Sequence, residues 1–253
     1  MMTELQNELG LPIGAPLADW TPRPIPGGEP LTGRFCRVEP VEPEQHGRDL
    51  FEAFSADREG RIWTYLPYGP FHTPGSLQDW LVQVSLESDP RFHAIVDTAS
   101  GKAAGVASYL NIKPSTGVIE VGHINYSPSL QRCPAATEAM FLMMRRVFSE
   151  LGYRRYEWKC DALNARSRRA ALRFGFRFEG VFRNATIYKG RNRDTAWYSI
   201  IDSEWPAIER AFSQWLAPTN FDSSGRQKSS LSSLVDRRAG SRFSPNVQGQ
   251  NRT

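Results

Sequence analysis

Two stretches of this chain hold residues whose types and spacing could do chemistry. In Gly117-Val118-Ile119-Glu120-Val121-Gly122-His123-Ile124-Asn125-Tyr126, Glu120 is a lone carboxylate in an otherwise apolar, β-branched run. Burial there would raise its pKa toward that of a useful general base. The alternative is a residue on the solvent face of a strand, or one that only orients a substrate through a water. His123 is a second base candidate, but strict alternation puts it on the opposite face unless a bulge intervenes. A few residues on, Pro134-Ala135-Ala136-Thr137 has no bulky side chain. If a helix starts there, free backbone N–H groups and the positive end of the helix dipole would make an anion site.

Those residues need elements to hold them. The Glu120 run reads as a strand, and Ser127-Pro128-Ser129-Leu130 as a turn. Ala136, Met140, Met143, Val147 and Leu151 recur at helical spacing before Gly152. A second strand follows at 155–160. Asn164 is then the expected N-cap of a short helix closed by Gly175. Ser167 sits in that helix's first turn, where the residue alone reads as a capping hydroxyl. Cys133 and Cys160 invite a covalent scheme, but neither has an evident base, and small apolar packing is the preferred reading.

The order strand, turn, helix, strand, helix resembles the GCN5-related N-acetyltransferases, most of all their RimJ/RimL-type branch. Gln131-x-x-Pro134-x-Ala136-Thr137 and the later Asn164-x-x-Ser167 carry the likeness. The family's turn reads Q/R-x-x-G-x-G/A; here Pro134 replaces the first Gly and removes one N–H donor, although Pro suits a first helical turn. The resemblance spans about Phe35 to Leu216. It implies an α/β fold, with a mixed, mostly antiparallel twisted sheet flanked by helices and its central strands splayed. It implies acetyl-CoA as cosubstrate, no metal, and a primary amine of a small molecule or peptide as acceptor, acetylated by direct attack. A non-catalytic acyl-CoA-binding module is the alternative. By the same resemblance Glu120 and Ser167 are the catalytic pair, base and thiolate protonator. Ile124, Asn125, Gln131, Arg132, Cys133, Ala135, Ala136, Thr137, Asn164 and Arg168 would line the cosubstrate site.

The remaining chain supports one domain with loose ends. The 253 residues, 40% hydrophobic, are enough for a packed core. No apolar run approaches the ~18 residues of a membrane span, and no signal-peptide pattern opens the chain, so a cytoplasmic protein without a membrane partner is expected. Three cysteines without metal-like spacing fit a reducing compartment. The pI near 9.1 suggests nucleic acid, but the segment 217–253 alone carries a net +4, the whole formal charge of the chain. No nucleic-acid partner is therefore expected, and the protein should be a monomer or homodimer. Three segments result: a Pro-rich N-terminal arm (1–32) pinned by Trp20, an acetyltransferase domain (33–216), and a disordered basic tail (217–253) whose Ser, Gly, Asn and Gln content cannot order itself. The aromatic, Pro-rich run Ile62 to Phe71 reads as an irregular lid or a pocket wall.

Overall fold

The computed structural model describes residues 5–239. Asn7 shapes the first turn: its side-chain oxygen accepts the amides of Leu9 and Leu11. A small hairpin, β1 (Leu5–Gln6) and β2 (Pro12–Ile13), forms around it. The arm then runs along the body to Trp20, whose indole N–H donates to the Ser115 carbonyl at 2.7 Å. Gly117, with φ +64°, lies under the Trp20 ring where any Cβ would collide.

The sheet begins with β3 (Leu31–Thr32) and β4 (Cys36–Pro40). Its position depends on Glu138, a buried carboxylate that accepts the backbone amides of Arg34, Phe35 and Cys36 at 2.9, 2.5 and 3.0 Å. Gly33 leaves room for that carboxylate.

Helix α1 (Pro43–Ser55) has Pro at its start and buries Leu50 and Phe54. Helix α2 (Pro74–Ser85) opens on a reciprocal capping box formed by Thr73 and Ser76. Next come β5 (Arg91–Asp97), β6 (Ala103–Lys113), β7 (Val118–Tyr126), α3 (Pro134–Arg145) with a π-helical turn at Arg146–Glu150, β8 (Arg155–Asp161) and α4 (Ala165–Arg173). The chain continues as β9 (Arg177–Tyr188), β10 (Arg191–Ile201) and α5 (Trp205–Leu216). The turn between β9 and β10 is the two residues Lys189 and Gly190, both with positive φ, as a tight hairpin demands.

The eight strands order as β3-β4-β5-β6-β7-β8-β10-β9. Every pairing is antiparallel except β7 with β8. One core packs α3 and α5 against Ile119, Val121, Tyr156 and Trp158. The other packs α1 and α2 against Ala94, Val96 and Val106 on the opposite face. The fold is thus the mixed, mostly antiparallel α/β sheet expected.

The tail differs from expectation. Beyond Leu216 the chain stays ordered to Ala239, through a turn at Pro218–Asn220 and a helix α6 (Leu231–Ala239). Leu231 and Leu234 are buried. The Asn220 side chain donates to the Trp215 and Ser229 carbonyls and accepts the Ser229 amide, fixing the connection. Polar composition hid two apolar anchors three residues apart. The part of the expected tail from residue 240 onward lies outside the described residues.

Truncation after Leu216 should therefore lower the melting temperature, and Leu231→Ala should cost about 2–5 kcal/mol as a large-to-small change in a core. Chemical denaturation of the two variants measures this, and unchanged stability in both would contradict the packing of α6.

Candidate active site

The sheet opens at one seam. Strands β7 and β8 pair only from Val118↔Arg155 to Val121↔Trp158, although β7 stays bonded to β6 as far as Tyr126 and β8 to β10 as far as Asp161. The cause is a bulge. Between Gly122 and Asn125 β7 spends one more residue than β6 does between Ser108 and Val106, and His123 takes a left-handed φ of 51°. A bulge bends its strand and re-aims a side chain. Here it carries β7 off β8 and leaves the inner backbone edges of both strands without a strand partner.

The bulge also decides where His123 points. Its ring stacks on Tyr68, with 5.6 Å between centroids, and Nδ1 lies 3.2 Å from the Tyr68 hydroxyl. Phe92 packs beside it at 5.1 Å. His123 is thereby on the α1/α2 face, the face of Glu120. Burial, with the charge of Arg193 adding to it, pulls the His123 pKa down to about 4. The imidazole is neutral and weakly basic.

Glu120 is buried. Its Oε2 accepts from Asn111 Nδ2 at 2.6 Å and Lys159 Nζ at 2.7 Å. Lys159 also meets Glu157 at 2.8 Å and stands 4.0 Å from the Trp197 ring centre. Burial raises the Glu120 pKa, against the pull of Lys159 and Asn111. Burial opposes the Lys159 charge, yet Glu120 and Glu157 hold its pKa above the ordinary value. The second oxygen, Oε1, has no hydrogen bond among the described residues. It lies 3.7 Å from where a Cβ on Gly122 would stand, beside the mouth of the seam.

The other face holds the second half of the site. The Asn164 side chain accepts the Ser167 amide at 3.1 Å, as a cap, and α4 begins there. The Ser167 hydroxyl accepts the indole N–H of Trp158 at 2.9 Å and lies beside the Cys160 thiol, whose pKa burial raises. With its oxygen held by Trp158, the hydroxyl keeps a hydrogen to give. The Cys133 thiol meets the Leu130 carbonyl at 2.9 Å, and no base is paired with either cysteine among the described residues.

At the end of β7, Gln131 donates its side-chain amide to the Tyr126 carbonyl at 2.9 Å and closes the turn. Arg132 adopts φ +60°, and α3 starts with Pro134 at its first position and no side-chain cap. The Ala135 and Ala136 side chains belong to the core, so their backbone amides are what the helix start presents. Successive free N–H groups around a left-handed residue make an anion-binding concavity. Thr137 is held by Arg173 at 3.0 Å. Arg168 is engaged elsewhere, on the Tyr198 hydroxyl and the Ala162 carbonyl, both at 3.2 Å. Ile124 packs its side chain on the α3 core. Asn125 is buried with both polar side-chain atoms unpaired.

The structure brings together Glu120, His123 and the β7 end on one face, and Asn164 and Ser167 across the seam. Sequence reading missed Lys159, Asn111 and Trp158, the residues that fix the two chemical groups. The signal for Lys159 was its i, i+2 spacing from Glu157 on a strand, which puts both on one face. Among the described residues no group of His, Cys, Asp and Glu could hold a metal, and no helix is long and apolar enough to cross a membrane.

Comparison with known proteins identifies the family of the fold. Residues 37–177 match the model of the acetyltransferase (GNAT) domain. A GCN5-related N-acetyltransferase from Brucella melitensis is 51% identical, covering 87% of this chain and all of that one, with a TM-score of 0.85. A structure described as an acetyltransferase of the GNAT family from Chromobacterium violaceum is 40% identical, covering 78% of this chain and 98% of its own, with a TM-score of 0.72. The microcin C7 self-immunity acetyltransferase MccE, solved with acetyl-CoA and AMP, shares the fold at 20% identity and TM-score 0.59, over 67% of this chain and 93% of that one. No curated protein matches the chain.

Two expectations follow from the geometry. Arg132→Glu places a carboxylate at the start of α3 and should weaken binding of a phosphate-bearing ligand at least tenfold in calorimetry, with little change in melting temperature. Unaltered affinity would move the anion site elsewhere. The second concerns pH. His93 and His123 both drop from an ordinary 6.5 to about 4, chiefly through burial. Each must take up a proton on unfolding between those values. Stability is then complete above about pH 6.5 and is lost as pH falls toward 4, by up to roughly 3 kcal/mol per histidine at ~1.4 kcal/mol per unit. Urea titrations at pH 7 and pH 4.5 should show this loss, reduced in His123→Gln.

Proposed function

The chain belongs to the GNAT acetyltransferase family, and from that premise we propose that it moves the acetyl group of acetyl-CoA to a primary amine by direct attack. One observation carries the reading: an open seam with a carboxylate oxygen left unbonded on one face and a serine hydroxyl, held in place by Trp158, on the other. The unpaired inner edges of β7 and β8 suit a strand-like pantetheine arm, and the free amides from Arg132 to Ala136 suit its pyrophosphate. Pro134 removes one donor, and the left-handed Arg132 turns its neighbours inward in compensation. MccE, solved with acetyl-CoA and AMP on this fold, supports acetyl-CoA as the cosubstrate here.

The residues then have separate tasks. Glu120 Oε1 takes the amine's proton, directly or through a water, while Lys159 and Asn111 fix the carboxylate through Oε2. As the new N–C bond forms and the C–S bond breaks, Ser167 gives its hydroxyl proton to the departing sulfur and is reset from solvent. Neutral His123 packs the wall formed by Tyr68 and Phe92 rather than acting as base. This division favours the RimJ/RimL-type placement, in which a serine serves the thiolate. We assign the protein to the cytoplasm on its free cysteines, as a monomer or homodimer acting on a small molecule or peptide amine without nucleic-acid or membrane partners.

Thiol release from acetyl-CoA, measured over a panel of amines, tests the reading. Glu120→Gln should lower kcat by roughly 10²–10⁴-fold, the usual worth of general base catalysis, with the loss shrinking as pH rises and solvent supplies neutral amine. Ser167→Ala should lower kcat without that recovery. Tight acetyl-CoA binding with no turnover on any amine would instead make the protein an acyl-CoA-binding module.

A further inference from the structure

The α1/α2 face of the seam holds several buried polar groups with nothing to bind. Trp197 stands opposite Lys159 on β10, stacked on Phe182 at 4.4 Å, and its indole N–H is buried without an acceptor. Arg193 lies four residues away on the same face of β10. Its Nε is buried and unpaired, and its guanidinium has no ion-pair partner among the described residues. The Asn125 side chain, on a residue only 2% exposed, is unpaired at both ends; it pairs in the sheet with Val106, which faces α1 and α2.

The neighbouring acids do not answer Arg193. Asp161 is taken by the Tyr188 hydroxyl and the Leu163 amide, both at 2.8 Å. Asp194 accepts the Asn184 amide and the Asn192 side chain. The other cations at the hairpin tip are occupied: Lys189 donates to the Trp63 carbonyl at 2.9 Å and Arg191 to that of Thr64 at 3.3 Å. These bonds tie the segment 61–71 over the cleft and leave Arg193 as the cation that faces inward. Its charge reaches His123 on the cleft wall. Buried polar groups are paired in the great majority of cases, and a buried donor left unmet costs about 1–3 kcal/mol. Unmet N–H groups gathered on one face, two of them from donor-only side chains, specify a missing oxygen acceptor.

We propose that the acceptor substrate carries, beside its amine, an anionic oxygen group, a carboxylate or a phosphate, bound by Arg193 and the Trp197 indole while the amine meets Glu120. This rests on the acetyl-transfer reading above and narrows it to acidic amines. Lys159 engages both Glu120 and Glu157, so a polycation finds no unpaired second carboxylate at that end of the cleft. Arg193 supplies the opposite pole. Amine and anion are thus read at two ends of one cleft, and the spacing between them is a selection rule.

The test is acetylation of matched pairs by the full chain: alanine against alaninamide, alanyl-alanine against its amide, phosphoethanolamine against ethanolamine, with spermidine as the polycation. The acid member of the carboxylate or the phosphate pairs should be preferred at least tenfold in kcat/KM, and which pair shows it identifies the anion. Arg193→Gln should collapse that ratio at least tenfold through KM, and Arg193→Lys should restore part of it; melting temperature reports whether the variants fold. Preference for the amides or for spermidine, or an equal loss on all acceptors in Arg193→Gln, would overturn the inference while leaving acetyl transfer intact. Absence of turnover on every member would overturn the acetyl-transfer reading and this inference with it.

Discussion

The parallel pairing of β7 and β8 stops after four residues, and most of what makes this chain a candidate enzyme depends on that interruption. Had the ladder continued, Gly122 to Ile124 would have bonded to Lys159 to Asp161 and the sheet would have been a closed wall. The bulge at His123 prevents it at the cost of a non-glycine residue in a left-handed conformation, of order 1 kcal/mol or more. That cost is offset by the ring's contacts with Tyr68 and Phe92. Opening the seam thus costs little locally, because the residue that bends the strand is also a wall of the cleft.

Two buried glutamates show how the same side chain serves structure and chemistry by its partners. Glu138 accepts three consecutive backbone amides and so fixes the entry of the sheet against α3. Glu120 is tied through one oxygen only. Its other oxygen lies beside the mouth of the seam, and burial lifts its pKa against the pull of the Lys159 ammonium. A carboxylate satisfied on one side and open on the other has a use as a base that a fully capped one lacks.

Much of this was legible in the sequence, and the failures have physical reasons. The strand around Glu120, the helix after Pro134, the Asn164 cap and the Gly175 stop follow from residue types that fix local geometry. The bulge did not, because His123 has no special claim on a left-handed conformation and only the register against β6 reveals it. Lys159 and Arg193 were missed for a related reason: a charged residue in a strand reads as solvent-facing until cross-strand partners are known. The segment after Leu216 misled through composition, since two leucines three residues apart outweigh the serines around them once a hydrophobic face of α5 is there to meet them.

The two faces of the sheet divide the chemistry, and the division follows from pleating. Residues 120 and 159 point to the α1/α2 side while Trp158 and Cys160 point to the α3 side, so a group threaded through the seam is reached by a base from one side and a proton donor from the other. Attack and departure then have different exits. The amine's environment is built from loop 61–71 and the β9–β10 hairpin, tied together by Lys189 and Arg191. The sulfur's environment is built from α4, held by Trp158 and Asn164. Acceptor specificity can accordingly change by substitution in the loop and hairpin without disturbing the helix that serves the thiolate. Buried, unpaired donors belong on the acceptor side under that division, and Arg193 and Trp197 stand on it.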